Sequence, residues 1–129
     1  MSDENIYISA RKSSDVLILT LKLARITEFE VAEAIGGALI RAALQEPSPK
    51  VVVDLRALEY MSSVGYGPFI SLRARIQESG GRLVLCGLSK LIRELFETTR
   101  LLINPRSPGS LFEFTDTVDS AVAHLSASR

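Results

Sequence analysis

The apolar residues of this 129-residue chain switch repeatedly between two spacings, and this switching restricts the fold to the mixed α/β class. The segments that follow residues 28, 64, 89 and 116 place apolar residues three and four positions apart, as amphipathic helices do. Alternating or continuous apolar runs predict strands at residues 6–10, 16–23, 50–55, 82–86 and 110–114. The predicted order is strand, strand, helix, followed by three further strand–helix units.

Each predicted helix has one apolar face, and three of the four have a recognisable capping residue at the start. Thr27, Ser89 and Asp116 are placed to begin the first, third and fourth helices. The Gly36–Gly37 pair lowers helix propensity, so close packing of the first helix on the sheet is its expected reason. The residues predicted to face inward are Val31, Ile35, Ala38, Leu39 and Ala42, then Phe69, Leu72 and Ile76, then Leu91, Ile92, Leu95 and Phe96, and finally Val118, Ala121, Val122 and Leu125.

The connections predict the topology of the sheet. Helices between successive buried strands imply right-handed crossovers and parallel pairing. The first strand joins the second through turn residues 12–15, so it is expected to be antiparallel at the sheet edge. The length allows one core, and we expect a single domain over residues 1–129 with its core at about 6–125. Leu101–Ser110, with two prolines and a glycine, is predicted to be a surface loop.

Composition argues against several classes of function. Lys plus Arg and Asp plus Glu number 15 each, so nothing indicates the clustered positive charge that binds nucleic acid. Lys22 and Arg25 interrupt the longest apolar stretch, and the acidic N-terminus does not resemble a signal peptide, so no membrane association is expected. The single cysteine, Cys86, forms no internal disulfide, and it is expected to be a small buried residue of a cytoplasmic protein.

Metal, cofactor and catalytic sites are not expected either. One cysteine and one histidine, His124, are too few for a structural zinc site. The chain has no glycine-rich phosphate loop with a lysine. His124 is expected at the surface of the last helix, and Met61–Gly67 is not the Gly-x-Ser-x-Gly elbow of a hydrolase. We therefore assign no catalytic residue and predict that the protein is not an enzyme.

The segment Glu59–Phe69 carries the main functional signal. It follows the predicted strand at 50–55, and loops at the carboxyl ends of parallel strands are where α/β proteins bind ligands and partners. Pro68 is tolerated only in a first helical turn, so the helix is expected to begin near Val64–Gly65, with Ser63 at or just before the N-cap. There the Ser63 hydroxyl either caps the helix or is presented for phosphorylation, since a phosphate would meet the positive end of the helix dipole.

The residues after Ser63 suggest a partner at the same loop. Gly65 and Gly67 leave the backbone bare, so another protein could approach closely. Tyr66 lies between them, and both a partner contact and simple packing are compatible with an aromatic residue at a helix start.

The stretch from Val51 to Leu101 resembles the core of a STAS domain, the domain of anti-sigma factor antagonists and of sulfate-transporter tails. The family pattern is an apolar strand ending in Asp-Leu, then an aromatic and an aliphatic residue, then Asp-Ser-Ser/Thr-Gly-Leu-Gly opening a helix. The positions that fit are Asp54, Leu55, Tyr60, Met61, Ser63, Gly65, Gly67, Gly80, Gly81 and Phe96. The resemblance implies a mixed, mostly parallel five-stranded sheet with an antiparallel edge strand and about four helices, packed mainly on one face.

Free-standing members of this family are switches, and the resemblance implies the same role here. The unphosphorylated antagonist binds an anti-sigma factor that is also a serine/threonine kinase. Phosphorylation of the loop serine, which maps onto Ser63, breaks that complex, and a PP2C-type phosphatase restores it. The resemblance implies partner contacts from Arg25, Thr27, Ser62, Ser63, Val64, Gly65, Tyr66 and Gly67, in a cytoplasmic monomer or dimer.

Four positions depart from the family pattern. Ser62 stands where the motif has Asp, Val64 where it has a second Ser or Thr, and Tyr66 where it has Leu. Arg25 stands in a loop where an acid is common. The lost acid at position 62 and the extra loop at 104–109 favour an alternative role, as a non-catalytic scaffold subunit of a stressosome-like or transport-associated assembly.

Overall fold

The protein is described from a computed structural model, which gives the backbone of residues 6–103 and 112–126 and the side chains of 6–98 and 112–126. Within these residues the strands are β1 (Ile8–Ser13), β2 (Val16–Leu21), β3 (Arg25–Ile26), β4 (Lys50–Asp54), β5 (Tyr60–Met61), β6 (Arg82–Cys86) and β7 (Glu113–Thr115). The helices are α1 (Phe29–Ala43), α2 (Tyr66–Glu78), α3 (Lys90–Ile103) and α4 (Val118–Ser126). The main sheet has the order β1-β2-β4-β6-β7, and β3 pairs with β5 in a separate two-stranded sheet.

The main sheet is largely parallel, as predicted. β2, β4, β6 and β7 pair in parallel, and β1 is antiparallel at one edge. Val51, Val52 and Val53 in the central strand β4 are each 0% exposed. A strand covered on both faces needs apolar side chains on both, which explains its continuous apolar run.

The β1–β2 hairpin differs from prediction at its first strand. Ser14 adopts the left-handed backbone conformation with φ 59°, and it completes a two-residue turn with Asp15. Because the turn is this short, β1 continues to Ser13, which pairs with Val16. The predicted strand at 6–10 is therefore too early, and the true one is shifted toward the turn.

The helices cover both faces of the sheet unequally. α1, α2 and α3 contribute to the larger core on one face. On the other face, within the described residues, α4 packs Ala121 and Leu125 against Val52 and Val84. The prediction of helices packed mainly on one face is confirmed, with α4 as the exception.

An aromatic cluster centred on Phe96 joins α3 to α2 and to the segment before β7. Phe96 is 1% exposed, and its ring meets the rings of Phe69 and Phe112 edge to face, with centroids 5.2 Å apart in each pair. Tyr66 makes a third edge-on contact with it at 6.4 Å. Such pairs contribute beyond the area they bury, so Phe96 is a principal anchor of this half of the core.

The contact between α1 and α2 depends on Gly36. A Cβ added at Gly36 would lie 3.4 Å from Cα of Pro68. The helix backbones therefore approach closely at this point. The expectation that the Gly36–Gly37 pair packs on the sheet is wrong, because Gly36 faces α2 and a Cβ at Gly37 would meet the Arg41 guanidinium.

Two helices, α3 and α4, begin with a side-chain cap. One of these caps is not at the predicted residue. Ser89 caps α3 as predicted, since its Oγ accepts a bond from Ile92 N–H at 3.2 Å. α4 is capped by Thr117 and not by Asp116. Thr117 Oγ1 accepts from Ser120 N–H at 3.0 Å, and Ser120 Oγ accepts from Thr117 N–H at 3.1 Å. This reciprocal pair satisfies two N–H groups at the start of α4.

Three other predictions about helix ends and faces are corrected. Thr27 does not cap α1, because the chain is still extended at Glu28, which is the cap residue and makes no side-chain capping bond. Leu91 is exposed, since it lies on the outer side of the first turn of α3. The first three residues of the predicted loop Leu101–Ser110 end α3, and residues 104–110 lie outside the described part of the chain.

Candidate functional site

The short pair β3–β5 brings together the two loops predicted to bind a partner. Arg25 pairs with Tyr60 and Ile26 with Met61, and Ser62 N–H continues the pairing by donating to Ile26 O at 3.0 Å. Strands of two residues are too short to show a period-two pattern, so the sequence did not predict them. The loop after β3 and the loop after β5 therefore lie side by side.

One face of this pair points to solvent. Ile26 and Met61 are buried in the core, and because side chains alternate along a strand, their neighbours point outward. The Arg25 guanidinium lies 5.0 Å from the centroid of the Tyr60 ring. We call the outward residues the ladder face; its members are Arg25, Thr27, Tyr60 and Ser62, of which Ser62 is half-buried and the others are exposed.

Ser63 begins a 3₁₀ turn, Ser63–Gly65, that leads into α2. Gly65 N–H donates to Ser62 O at 2.9 Å and closes this turn, and α2 begins at Tyr66. Among the described residues no side chain caps either the turn or α2. Ser63 is exposed. The capping alternative for Ser63 is therefore not realised, and its side chain is accessible at the surface.

The two loop glycines have different surroundings. A Cβ added at the buried Gly65 would lie 2.7 Å from Met61 Cβ and 2.9 Å from Met61 Sδ. At the exposed Gly67 an added Cβ would meet nothing within 4 Å. Packing on Met61 thus accounts for Gly65, whereas Gly67 leaves open surface beside Ser63.

Tyr66 packs on the core and is only half-buried. Its ring contacts Phe96 edge on, so the packing alternative for this residue is realised. Burial raises the pKa of Tyr66, and the nearby Tyr60 raises it further. Tyr66 therefore stays neutral at physiological pH and links the loop to the aromatic cluster.

A groove between α1 and α2 opens next to the loop. Its volume is about 470 Å³, and its walls include Phe29 and Ile40 from α1 with Val64 and Pro68 from the loop and α2. Phe29 is 61% exposed, and of the described residues on the groove wall Glu33 is the charged one. The sequence analysis did not predict Phe29 as a site residue. The signal that could have identified it is an aromatic residue off the predicted apolar face of the helix.

Asp54 fixes the path of the chain between β4 and β5. It is 4% exposed, its Oδ1 accepts a bond from Arg56 N–H at 3.0 Å, and its Oδ2 lies 3.5 Å from the Arg56 guanidinium. Leu55 N–H donates to Cys86 O at 2.9 Å just after the strand ends. These bonds satisfy a buried carboxylate and hold the start of the segment that leads to Ser63.

Cys86 and His124 lie where the sequence predicted. Cys86 is fully buried, and burial, with a contribution from Asp54, raises the pKa of its thiol to about 12. His124 is exposed on α4.

In residues 6–103 and 112–126 no three His, Cys, Asp or Glu side chains are grouped to hold a metal ion. No helix in the same residues has the length and apolar character needed to cross a bilayer.

Glu113 is predicted to make stability depend on pH. Burial raises its pKa, but hydrogen bonds and charge from Arg82 and His124 outweigh that effect and lower it overall. A lowered folded-state pKa stabilises the protein above the unfolded pKa of about 4.3, and that stability is lost as the pH falls through the folded-state value. Glu113→Gln is therefore expected to lower the free energy of unfolding at pH 7 by up to about 1 kcal/mol, because the site is partly exposed.

Urea unfolding of both proteins at pH 7 and at about pH 2, well below the folded-state pKa of Glu113, tests this. The difference between Glu113→Gln and the parent should disappear at the lower pH. Glu94→Gln, at an exposed glutamate with no ion pair among the described contacts, is the control and should change little at either pH. A Glu113→Gln effect of the same size at about pH 2 as at pH 7 would contradict the assignment.

The overall architecture and the Ser63 loop together define a STAS-type α/β domain, and comparison with known proteins agrees. The sequence model of the STAS domain family matches residues 7–121. The chain belongs to the STAS domain family. The resemblance seen in the sequence is thereby confirmed.

Individual relatives match this chain in sequence or in fold. A Bordetella bronchiseptica protein named "Putative anti-sigma factor antagonist BtrV" is 30% identical over 86 residues, which is 67% of this chain and 68% of that protein. The structure of an anti-sigma-factor antagonist (STAS) domain protein from Planctomyces limnophilus superposes with a TM-score of 0.75 at 21% identity, covering 92% of this chain and 96% of the other. The phosphorylated form of the Bacillus cell fate determinant SpoIIAA gives 0.64 at 17% identity, covering 91% and 97%.

Proposed function

We propose that the protein is an anti-sigma factor antagonist that binds an anti-sigma factor serine/threonine kinase. The contact surface is the ladder face together with the Ser62–Gly67 loop. Phosphorylation of Ser63 by the kinase ends the complex, and a PP2C-type phosphatase returns the protein to its binding form. It acts in the cytoplasm as a monomer or dimer and catalyses no reaction itself.

The observation that carries this proposal is the exposed, uncapped Ser63 on the loop after β5. A hydroxyl engaged in helix capping would have to leave its N–H partner before modification, and Ser63 has no such bond to lose. Family membership and the name of the Bordetella relative support the antagonist role. A phosphorylated form is known for the fold relative SpoIIAA, which supports the switch.

The placement of Ser63 allows a phosphate to change docking without changing the fold. A phosphoserine carries roughly −1.5 to −2 charges at neutral pH. Ser63 is exposed, and Gly65 packs on Met61 in the core beneath the loop. The phosphate therefore adds its charge to the partner-binding surface and not to the interior. A like charge or an apolar patch on the partner would then oppose binding.

Phosphorylation of Ser63 is tested with the purified protein, ATP and an anti-sigma factor kinase encoded in the same genome. Intact-mass measurement should show the gain of one phosphoryl group in the parent and none in Ser63→Ala. Ser62→Ala is the matched control, since it alters the adjacent serine and should still be phosphorylated. A gain that survives Ser63→Ala but vanishes in Ser62→Ala would place the acceptor at Ser62 and overturn this part of the proposal.

A second candidate function is the scaffold role. The neutral Ser62 at the position of the family acid favours it, because the charge beside the acceptor serine is missing. Light scattering after size-exclusion chromatography separates the two functions: a monomer or dimer supports the switch, and a large homogeneous particle supports the scaffold.

A further inference from the structure

We propose that Arg25 binds the phosphate of phosphorylated Ser63, so that the chain supplies its own phosphate-binding residue. The inference rests on the proposed function in one respect, namely that Ser63 is the phosphoacceptor. It adds the regulation of the site: the phosphorylated loop is held by a cation from the neighbouring strand. Arg25 then changes its contacts between the two states of the protein.

The first argument is position. Arg25 pairs with Tyr60, and Ser62 lies two residues further along the same outward face. With a rise of about 3.3 Å per residue and about 4.8 Å between strands, the diagonal from Arg25 to Ser62 is roughly 8 Å. Ser63 is the next residue, at the start of the 3₁₀ turn. Such a diagonal can be bridged by the long, flexible side chain of Arg25 and a phosphate on a serine side chain opposite it.

The second argument is availability. Arg25 is exposed, and among the described residues it forms no ion pair; its recorded partner is the Tyr60 ring at 5.0 Å. A cation–π contact at an exposed site is weaker than a charge-assisted, bidentate bond from arginine to a phosphate. A phosphate nearby would therefore compete successfully for the guanidinium. Tyr60 already directs the guanidinium over β5, the strand that leads to Ser63.

The third argument is the charge around the loop. The charged groups around the loop include Glu28 after β3, Glu59 before β5 and Lys90 at the start of α3, which packs against β5. They also include Glu33 of α1, which lies on the groove wall beside Val64 and Gly67. Position 62, next to the acceptor, holds a serine and no acid. None of the four ladder-face residues is acidic, so no carboxylate of that face competes for Arg25. A doubly charged phosphate would be the strongest anion within its reach.

A ³¹P NMR pH titration of the full chain with phosphoserine installed at position 63 tests the pairing. A bound guanidinium favours the dianion and lowers the second pKa of the phosphate. Arg25→Gln should raise that pKa by about half a unit, a modest shift because the site is exposed and screened. Lys90→Gln, which removes a cation at the start of α3, should leave it unchanged. Arg25→Lys should lie between the parent and Arg25→Gln, since it keeps the charge and loses the bidentate geometry.

Each result decides the question. A phosphate pKa that is the same in the parent and in Arg25→Gln overturns the proposal, and so does a larger shift in Lys90→Gln than in Arg25→Gln. The expected order of the three variants supports it. Failure of the proposed function looks different, because a kinase that never modifies Ser63 leaves the titration of the installed phosphoserine intact. Thermal unfolding of the unphosphorylated variants, which should match the parent, confirms that each is folded.

Discussion

Phe96→Ala is expected to lower the free energy of unfolding by about 3–5 kcal/mol, the usual range for removing a buried phenylalanine side chain. Phe96 is 1% exposed and lies at the centre of three edge-on ring contacts, so the cavity cannot close without moving α2, α3 or the segment before β7. Urea unfolding followed by circular dichroism measures the change. Because Tyr66 is one of the three partners, the loop that carries Ser63 should also lose order.

Leu91→Ala is the matched control for this prediction. Leu91 is on the same helix, five residues earlier, but it is 47% exposed and was wrongly predicted to face the core. Its truncation should change the free energy of unfolding by no more than about 0.5 kcal/mol. Similar losses for Leu91→Ala and Phe96→Ala would show that α3 is rotated from the arrangement described here.

The sequence predicted the elements whose signals are local and repeated. The valines of β4 form a continuous run, and a run of that kind can only be covered from both sides, so the central strand and its parallel neighbours were predictable. Ser89 and the apolar spacing of α3 likewise placed that helix. The prediction that Leu91 faces inward was wrong. A leucine next to Ile92 fits the pattern of a wide apolar helix face whether or not the core covers the first turn of the helix.

The features that were missed depend on contacts between distant segments. β3 and β5 are two residues each and exist because the loops after β2 and β4 meet, which no spacing reveals. Gly36 was predicted to contact the sheet, but it contacts Pro68 of α2, which lies 32 positions later in the chain. The groove beside Phe29 arises only when the two helices are packed together.

In the candidate site, too, the sequence predicted the local features and missed those that depend on the three-dimensional structure. The motif placed Ser63 at a helix start, and the helix begins with a 3₁₀ turn at that residue. Whether its hydroxyl caps the helix could not be read from residue types, since serine is equally suited to capping and to exposure. Only the backbone geometry shows that the side chain is left uncapped. The adjacency of Arg25 to the loop was implied by the family resemblance, and the pairing of β3 with β5 supplies its physical basis.

Gly65→Ala is expected to disrupt the loop while Gly67→Ala does not, although both add one methyl group to the same motif. At Gly65 the backbone is already right-handed helical, with φ −71° and ψ −18°, so alanine adds no backbone strain and the effect is purely steric. Its Cβ would lie 2.7 Å from Met61 Cβ, an atom fixed close to the backbone of β5. Forcing the two apart should cost about 1–3 kcal/mol in the free energy of unfolding, as overpacking of a tight core does.

At Gly67 nothing lies within 4 Å of an added Cβ, and the position is already in α2, so alanine should leave stability unchanged or raise it by up to about 1 kcal/mol. Chemical unfolding gives the stabilities, and calorimetric titration with the kinase gives the affinities. Weaker kinase binding in Gly67→Ala at full stability would identify Gly67 as a point of close approach by the partner, whereas in Gly65→Ala stability and affinity should fall together. If Gly65→Ala were as stable as Gly67→Ala, the packing of the 3₁₀ turn on Met61, and with it the presentation of Ser63, would be wrong.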